Sequence, residues 1–266
     1  MSRNIHPTAI IHPDAYLADS VSVGPFCLIG EDVHIGEGTR LVSHVVIEAG
    51  TRIGKNCSIW PGAVLGGPPQ DHKYRGERSY LTVGDNNIIR ECVTLHRAVG
   101  EGASTRIGSD NMFMAYAHVG HNCEVGSGNT ISGYVGLAGH VTLEDHVVLG
   151  GMSGIHQFCR VGKLAIVGAL SKINQDIPPF MLADGIPGRV LDLNKIGLRR
   201  YGVPPNIRAT LRMAYKLLYR SNLNYSQAME RIEEELEPSE ELDYLLNFIR
   251  GTQGGFGGRG NDLPRG

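Results

Sequence analysis

The sequence predicts a mainly β protein. A solenoid of short strands is expected over residues 1–189, a small α-helical domain over 190–250, and a glycine-rich, disordered tail over 251–266. Three observations carry this expectation. An aliphatic residue or Phe recurs every six residues from Ile5 to Ile173; the patterning turns helical from about Val190; and 36 glycines with 6% aromatic residues suit many tight corners around a slim core.

The repeat is the strongest signal. Of the 29 positions numbered 5, 11, 17 and onward to 173, 26 are aliphatic or Phe, where about 12 would arise by chance. Helices repeat at 3.6 residues and ordinary strands at 2, so neither sustains a period of six. A solenoid does, because each short strand and its corner use six residues and stacked coils share one core. The fifth residue of each hexad is mostly small or β-branched, as at Ala9, Val21, Cys27, Val33 and Thr39, and reads as a second inward position. The glycine that often follows the lead residue (Gly24, Gly30, Gly36, Gly54, Gly126) is expected to serve tight turning. Asp71, Glu77 and Glu101 break the pattern, inside two polar segments expected to be external loops, 66–82 and 96–106.

Behind the repeat, PPNIRATLRMAYKLLYR opens with proline and places Ile207, Leu211, Ala214, Tyr215 and Leu218 on one helical face. NYSQAMERIEEELE and SEELDYLLNFIRG read as two further helices, the last stopped by Gly251. Between Leu193 and Met229 stand seven basic residues and no acidic one; Arg208, Arg212, Lys216 and Arg220 fall at intervals of four and form one stripe.

Composition narrows the function classes. With 25 basic against 27 acidic residues, the chain is no nucleic-acid polycation. The N-terminal stretch lacks the apolar run of a signal peptide and nothing approaches a membrane span, so a cytoplasmic protein is expected. Five cysteines form no framework, which fits a reducing compartment.

The hexads resemble those of the hexapeptide-repeat acyltransferases. That resemblance implies a left-handed parallel β-helix with three hexads per coil. Residues three hexads apart then stack, about 4.8 Å between coils. His118 lies below Gly136, Gly154 and Lys172; His121 lies below Gly139 and Gln157; Asn122 lies below His140; and His156 adjoins Gln157. Glycines above His118 and His121 leave a cleft with histidines on its floor. His6, His12, His34, His44 and His146 read instead as solvated or corner-packing groups, and His96 stands between the two readings. HVGHNC also invites a zinc reading, but Cys123 falls at an inward position and four tetrahedral ligands cannot be assembled.

Within that superfamily the motifs QDHKY, VTLHR, IGSDNMFMAYAHVGHNC, LAGHV, GIHQF, DIPPFML and LNKIGLRR, spread over residues 5 to 250, resemble the UDP-N-acetylglucosamine O-acyltransferases. The resemblance implies transfer of a (3R)-hydroxyacyl group from acyl carrier protein to the sugar 3-hydroxyl, the first step of lipid A synthesis. It implies no cofactor beyond the carrier's phosphopantetheine, no metal, and a homotrimer with sites between subunits. His121 takes the place of the general base and the Gly139 N–H that of the oxyanion donor. Asp71, His140 and Gln157 would hold the amino sugar. Gln70, Lys73, His118 and His156 would shape the pockets, Asn194 and Arg200 would reach the nucleotide, and Ala169, in a column with Gly133 and Gly151, would limit acyl length. The basic stripe would meet the acidic carrier. Three departures stand out: Asn122 where many members have Asp, Ile196 where some have an acidic residue, and Tyr201 where some have Arg. An amide can orient an imidazole without neutralising it, and Asn122→Asp is expected to preserve or raise activity. A zinc carbonic anhydrase of the γ class, an acetyl-CoA-dependent acetyltransferase and a non-enzymatic scaffold are the alternatives on this fold.

Overall fold

In the computed structural model, which describes residues 4–253, the repeat folds as a three-sided parallel β-helix. Most hexads contribute a short strand, and three hexads close a coil. The strands stack into a first face of 11 strands starting at Asn4–Ile5, a second of 9 starting at Ile10–Ile11 and a third of 8 starting at Tyr16–Leu17. Asn4 pairs with Ser22, Ser22 with Arg40, His118 with Gly136 and Gly154 with Lys172, the register that three hexads per coil require. Lead residues such as Ile29, Ile47, Leu95 and Val119 point inward, as do fifth-position residues such as Val21, Cys27, Val33 and Ala63, and all are buried in one continuous core. Stacking, not strand length, holds such short strands in place.

The glycines behind the lead residue do not make the turns. The chain turns two positions later, at the fourth place of the hexad, where Phe26, Asn122 and His140 adopt φ of 58°, 58° and 60°. What Gly24 and Gly36 allow is close stacking: a Cβ on Gly24 would stand 1.7 Å from the Val42 carbonyl oxygen of the next coil, and one on Gly36 2.7 Å from the Gly54 backbone.

Both excursions leave the second face and return on the third. One leaves after Val64–Gly67 and returns at Tyr80–Val83; the other leaves after Thr94–His96 and returns at Ser104–Ile107. Strands therefore reach into both segments expected to be loops. Ser58 pairs with Ile88, five hexads on, and Ile88 with Met112, four hexads on. The first excursion thus adds two hexads to its coil and the second adds one. Both insertions are whole hexads, which is why the phase survives them.

The helical part begins at Lys195 and not near Val190. Met181–Gly185 extends the first face and pairs antiparallel with Gly188–Leu193, so residues 190–193 are strand. Helices α1 (Lys195–Arg200), α2 (Pro205–Tyr219), α3 (Tyr225–Glu235) and α4 (Glu240–Gln253) follow. Leu211, Ala214, Tyr215 and Leu218 are the buried face of α2, and Asn224 caps α3 reciprocally with Gln227. Gly251 does not stop α4. It lies inside the helix, where a Cβ would meet the Arg160 guanidinium at 3.3 Å. Arg160 also bonds the Asp176 carboxylate at 3.0 Å and the Phe248 carbonyl at 3.0 Å, and its guanidinium lies over the Phe248 ring, locking α4 to the last coils. The expected tail from residue 254 lies outside the described residues. Among these, no helix is long and apolar enough to cross a membrane.

Candidate active site

The corner between the second and third faces gathers the chemistry. His121, Asn122, Gly139, His140, His156 and Gln157 all occupy it, in three successive coils, and both excursions emerge from it below them. The stacking is direct: the His140 N–H donates to the His121 carbonyl at 2.9 Å, and the Phe158 N–H to that of Gly139 at 3.3 Å. The His121 ring rises into the place a Cβ on Gly139 would take, 2.5 Å from Nε2, so any side chain there would push the ring aside. His140 stands edge-on to His121, with ring centroids 5.1 Å apart, and stacks on Phe158.

His121 faces a polar group at each ring nitrogen. Its Nδ1 lies 2.8 Å from the Asn122 amide oxygen and its Nε2 3.6 Å from Asp71 Oδ2. Asp71 arrives on the first excursion, far earlier in sequence, and supplies the carboxylate that Asn122 cannot. The Lys73 N–H bonds Asp71 Oδ1 at 2.9 Å and holds its carboxyl below the usual range, and His121 acts in the same direction whenever it carries a proton on both nitrogens. Burial lowers the His140 imidazole, aided by the charges of His121 and Lys73.

His118 occupies the second face beside this corner. Its Nδ1 meets the Thr94 hydroxyl at 2.8 Å, and its ring packs 5.1 Å from that of His96. Burial, then His96, lowers its pKa. His96 in turn donates from Nδ1 to the Pro68 carbonyl at 2.7 Å, so it anchors the root of the loop that carries Gln70, Asp71 and Lys73. Above His118, Gly136 and Gly154 have open space where side chains would stand, and the column ends in Lys172. The second face is thus free of side chains at these two levels, between the corner that carries His121 and the opposite corner. That opposite corner carries Gly133, Gly151 and Ala169, stacked through backbone bonds from Met152 to Gly133 at 3.0 Å and from Leu170 to Gly151 at 2.9 Å.

Cys123 is wholly buried, its thiol 3.0 Å from the Ala138 carbonyl and pushed up to about 12 by burial. Among the described residues no three His, Cys, Asp or Glu side chains come together as a metal ion would need.

Known proteins share this repeat pattern and fold. Residues 176–258 match a family model described as UDP N-acetylglucosamine O-acyltransferase, domain 2, and residues 32–67 and 104–139 match the bacterial transferase hexapeptide model. The chain is 44% identical over 256 residues to the acyl-[acyl-carrier-protein]–UDP-N-acetylglucosamine O-acyltransferase of Thermodesulfovibrio yellowstonii, covering 96% of this chain and 99% of that one. The chain belongs to the UDP-N-acetylglucosamine O-acyltransferase family. The Synechocystis enzyme of the same name is 49% identical over 87% of this chain and 84% of its own. Solved family structures superpose closely: that from Moraxella catarrhalis with a TM-score of 0.90 at 40% identity, over 96% of this chain and 98% of that one; that from Bacteroides fragilis with 0.93 at 36%, over 98% and 100%.

Two residues expected at the nucleotide are not near His121 in the single chain. Asn194 caps α1 through Oδ1 to the Gly197 N–H at 2.9 Å, and its Nδ2 donates to the Leu164 carbonyl at 2.8 Å. That places it, with Arg200 at the end of the same helix, at the corner between the third and first faces. The Tyr201 departure has a partner there, its hydroxyl 2.9 Å from His146 Nε2, while Ile196 is exposed. The stripe on α2 is also modified. Arg220 lies past the helix end and turns back to Tyr215 and the Leu191 carbonyl, and with Arg212, Lys216 and Lys195 it lines a hollow that includes Asp192. Sequence reading had no signal for Val99, Arg97 and Tyr74, whose contacts exist only because the two excursions pack together.

Proposed function

We propose that the chain transfers a (3R)-hydroxyacyl group from acyl carrier protein to the 3-hydroxyl of UDP-N-acetylglucosamine, in the cytoplasm, as the first step of lipid A synthesis. The observation that carries this reading is His121: a partly exposed imidazole between Asp71 and Asn122, directly under Gly139, beside the open glycine column of Gly136 and Gly154. The 3.6 Å between Nε2 and Asp71 Oδ2 exceeds a hydrogen bond. A sugar hydroxyl seated at that gap can pass its proton to Nε2 as its oxygen attacks the thioester carbon. The ionised Asp71 then faces the imidazolium and steadies it. The tetrahedral oxyanion takes the Gly139 N–H, and collapse expels the carrier thiolate, which recovers the proton from His121. The buried cysteines take no part.

Asp71, His140 and Gln157 hold the amino sugar, with Gln70, Lys73, His118 and His156 lining its surroundings. Asn194 supports this reading indirectly, because its cap holds the helix that presents Arg200. Since α1 stands at a different corner from His121, Arg200 reaches the diphosphate of a site on a neighbouring copy, in a homotrimer. The acyl chain runs along the glycine groove toward Ala169, three coils or about 14 Å above Ala115. The test is an acyl-transfer assay on UDP-N-acetylglucosamine with acyl-carrier thioesters of graded length. Ala169→Gly should move the optimum to a longer donor and Ala169→Met to a shorter one, with about tenfold discrimination per methylene. No transfer to the nucleotide sugar refutes the function, and an unchanged length profile in both variants refutes the ruler.

A further inference from the structure

The amide of Asn122 is clamped by one residue of the second excursion. Its Oδ1 accepts from the Val99 N–H at 2.9 Å, and its Nδ2 donates to the Val99 carbonyl at 3.0 Å. A backbone N–H only donates and a carbonyl only accepts, so the amide has one allowed orientation. Reversed, it would set donor against donor and oxygen against oxygen. The same Oδ1 lies 2.8 Å from His121 Nδ1, and an amide oxygen can only accept. Nδ1 must therefore carry the hydrogen.

We propose that Asn122, gripped by the Val99 backbone, is the positioning residue that fixes His121 in its Nδ1–H tautomer, leaving the Nε2 lone pair aimed at the acceptor hydroxyl. The proposal rests on the reading of His121 as base. The clamp is well supported. Asn122 sits at φ 58°, a region asparagine tolerates, and its own N–H is held by the Thr105 hydroxyl at 2.8 Å. Val99 is fixed because its excursion is tied to the first one: Arg97 bonds the Tyr74 hydroxyl at 2.9 Å and the Gly66 carbonyl at 2.9 Å, the Gly100 N–H bonds Glu77, and the Arg78 N–H bonds Glu101. One paired unit of two loops thus delivers Asp71 to one nitrogen of the base and a locked amide to the other.

The clamp reverses an expectation drawn from sequence alone. A carboxylate at 122 would still accept from Val99 and His121, but its second oxygen would face the Val99 carbonyl with no proton between them. Asn122→Asp should therefore lower turnover, not preserve it.

The test labels the full-length protein with ¹⁵N-histidine and assigns the His121 signals by their loss in His121→Ala. The wild type should show a pyrrole-like Nδ1 and a pyridine-like Nε2 at neutral pH. Asn122→Gly removes the amide yet accepts the left-handed backbone. It should give averaged tautomer shifts and a kcat roughly tenfold lower, with KM for the nucleotide sugar within about twofold of wild type. A wild-type Nε2–H tautomer overturns the proposal without any variant. So does wild-type kcat with an unchanged tautomer in Asn122→Gly, or undiminished kcat in Asn122→Asp. Full activity in His121→Ala would refute the base assignment and leave the tautomer result standing.

Discussion

At His121 the two ring nitrogens do different work, one held by an amide and the other facing a carboxylate and open space. The first consequence is kinetic. His121→Ala should lower kcat by about 100-fold or more, the scale of a lost general base, while a circular-dichroism melt shows the solenoid intact. Near-normal turnover in the folded variant would remove the assignment. The second consequence is thermodynamic and belongs to His118. Burial and the neighbouring His96 push its imidazole below the ordinary 6.5, so as pH falls the unfolded chain takes up its proton first. The stability gained from neutral His118 is complete above that value and declines as pH drops below it. His140, lowered mainly by burial, acts with the same sign. The unfolding midpoint should fall as pH is lowered from about 7.5 to about 5.5. His118→Gln, which keeps a polar neighbour for Thr94, should flatten that dependence, and an unchanged slope in the variant clears His118 as its source.

Single elements explain why parts of the pattern were readable and others were not. The inward fifth position was legible because it recurs, yet at the corner between the third and first faces it is filled by Asn87, Asn111 and Asn129, polar residues that are nonetheless buried. Each uses its amide oxygen to take the N–H of the next coil, at 2.9, 2.8 and 2.7 Å. Buried asparagine survives only because the coil above supplies that donor. Helix α2 was legible through its apolar face, but the bend of Arg220 back to Tyr215 was not. Arg212 and Lys216 remain exposed, and an acidic carrier would meet them first. Exchanging both for Glu should raise KM for carrier-bound donor roughly tenfold, because an attraction becomes a repulsion. A free pantetheine thioester should be affected less. Equal effects on the two donors would count against docking at this helix.

For the whole molecule, the separation of His121 from Arg200 sets the prediction. They occupy different corners of one prism, so the proposed site needs a second copy. If it does, His121→Ala and Arg200→Ala chains, each inactive alone, should regain activity when unfolded and refolded together. Random mixing leaves about a quarter of the sites with both groups intact. No recovery in a mixture shown to contain mixed oligomers would place both residues in one subunit's site, or neither.

Amino-acid order alone was enough for the period, the inward positions, the stacked columns once the coil was known, and the shared corner of His121, His140, His156 and Gln157. Each of these follows from repetition along the chain, because a solenoid turns sequence distance into vertical distance by a constant rule. What the interruptions do was settled only by folding in three dimensions. The long step from Asp71 to His121, the grip of Val99 on Asn122 and the anchoring of Pro68 by His96 each start from the segments 66–82 and 96–106, where the period lapses. Contacts between two irregular loops depend on backbone directions that no local pattern encodes. They also depend on hydrogen bonds whose partners become neighbours only when the coils have stacked.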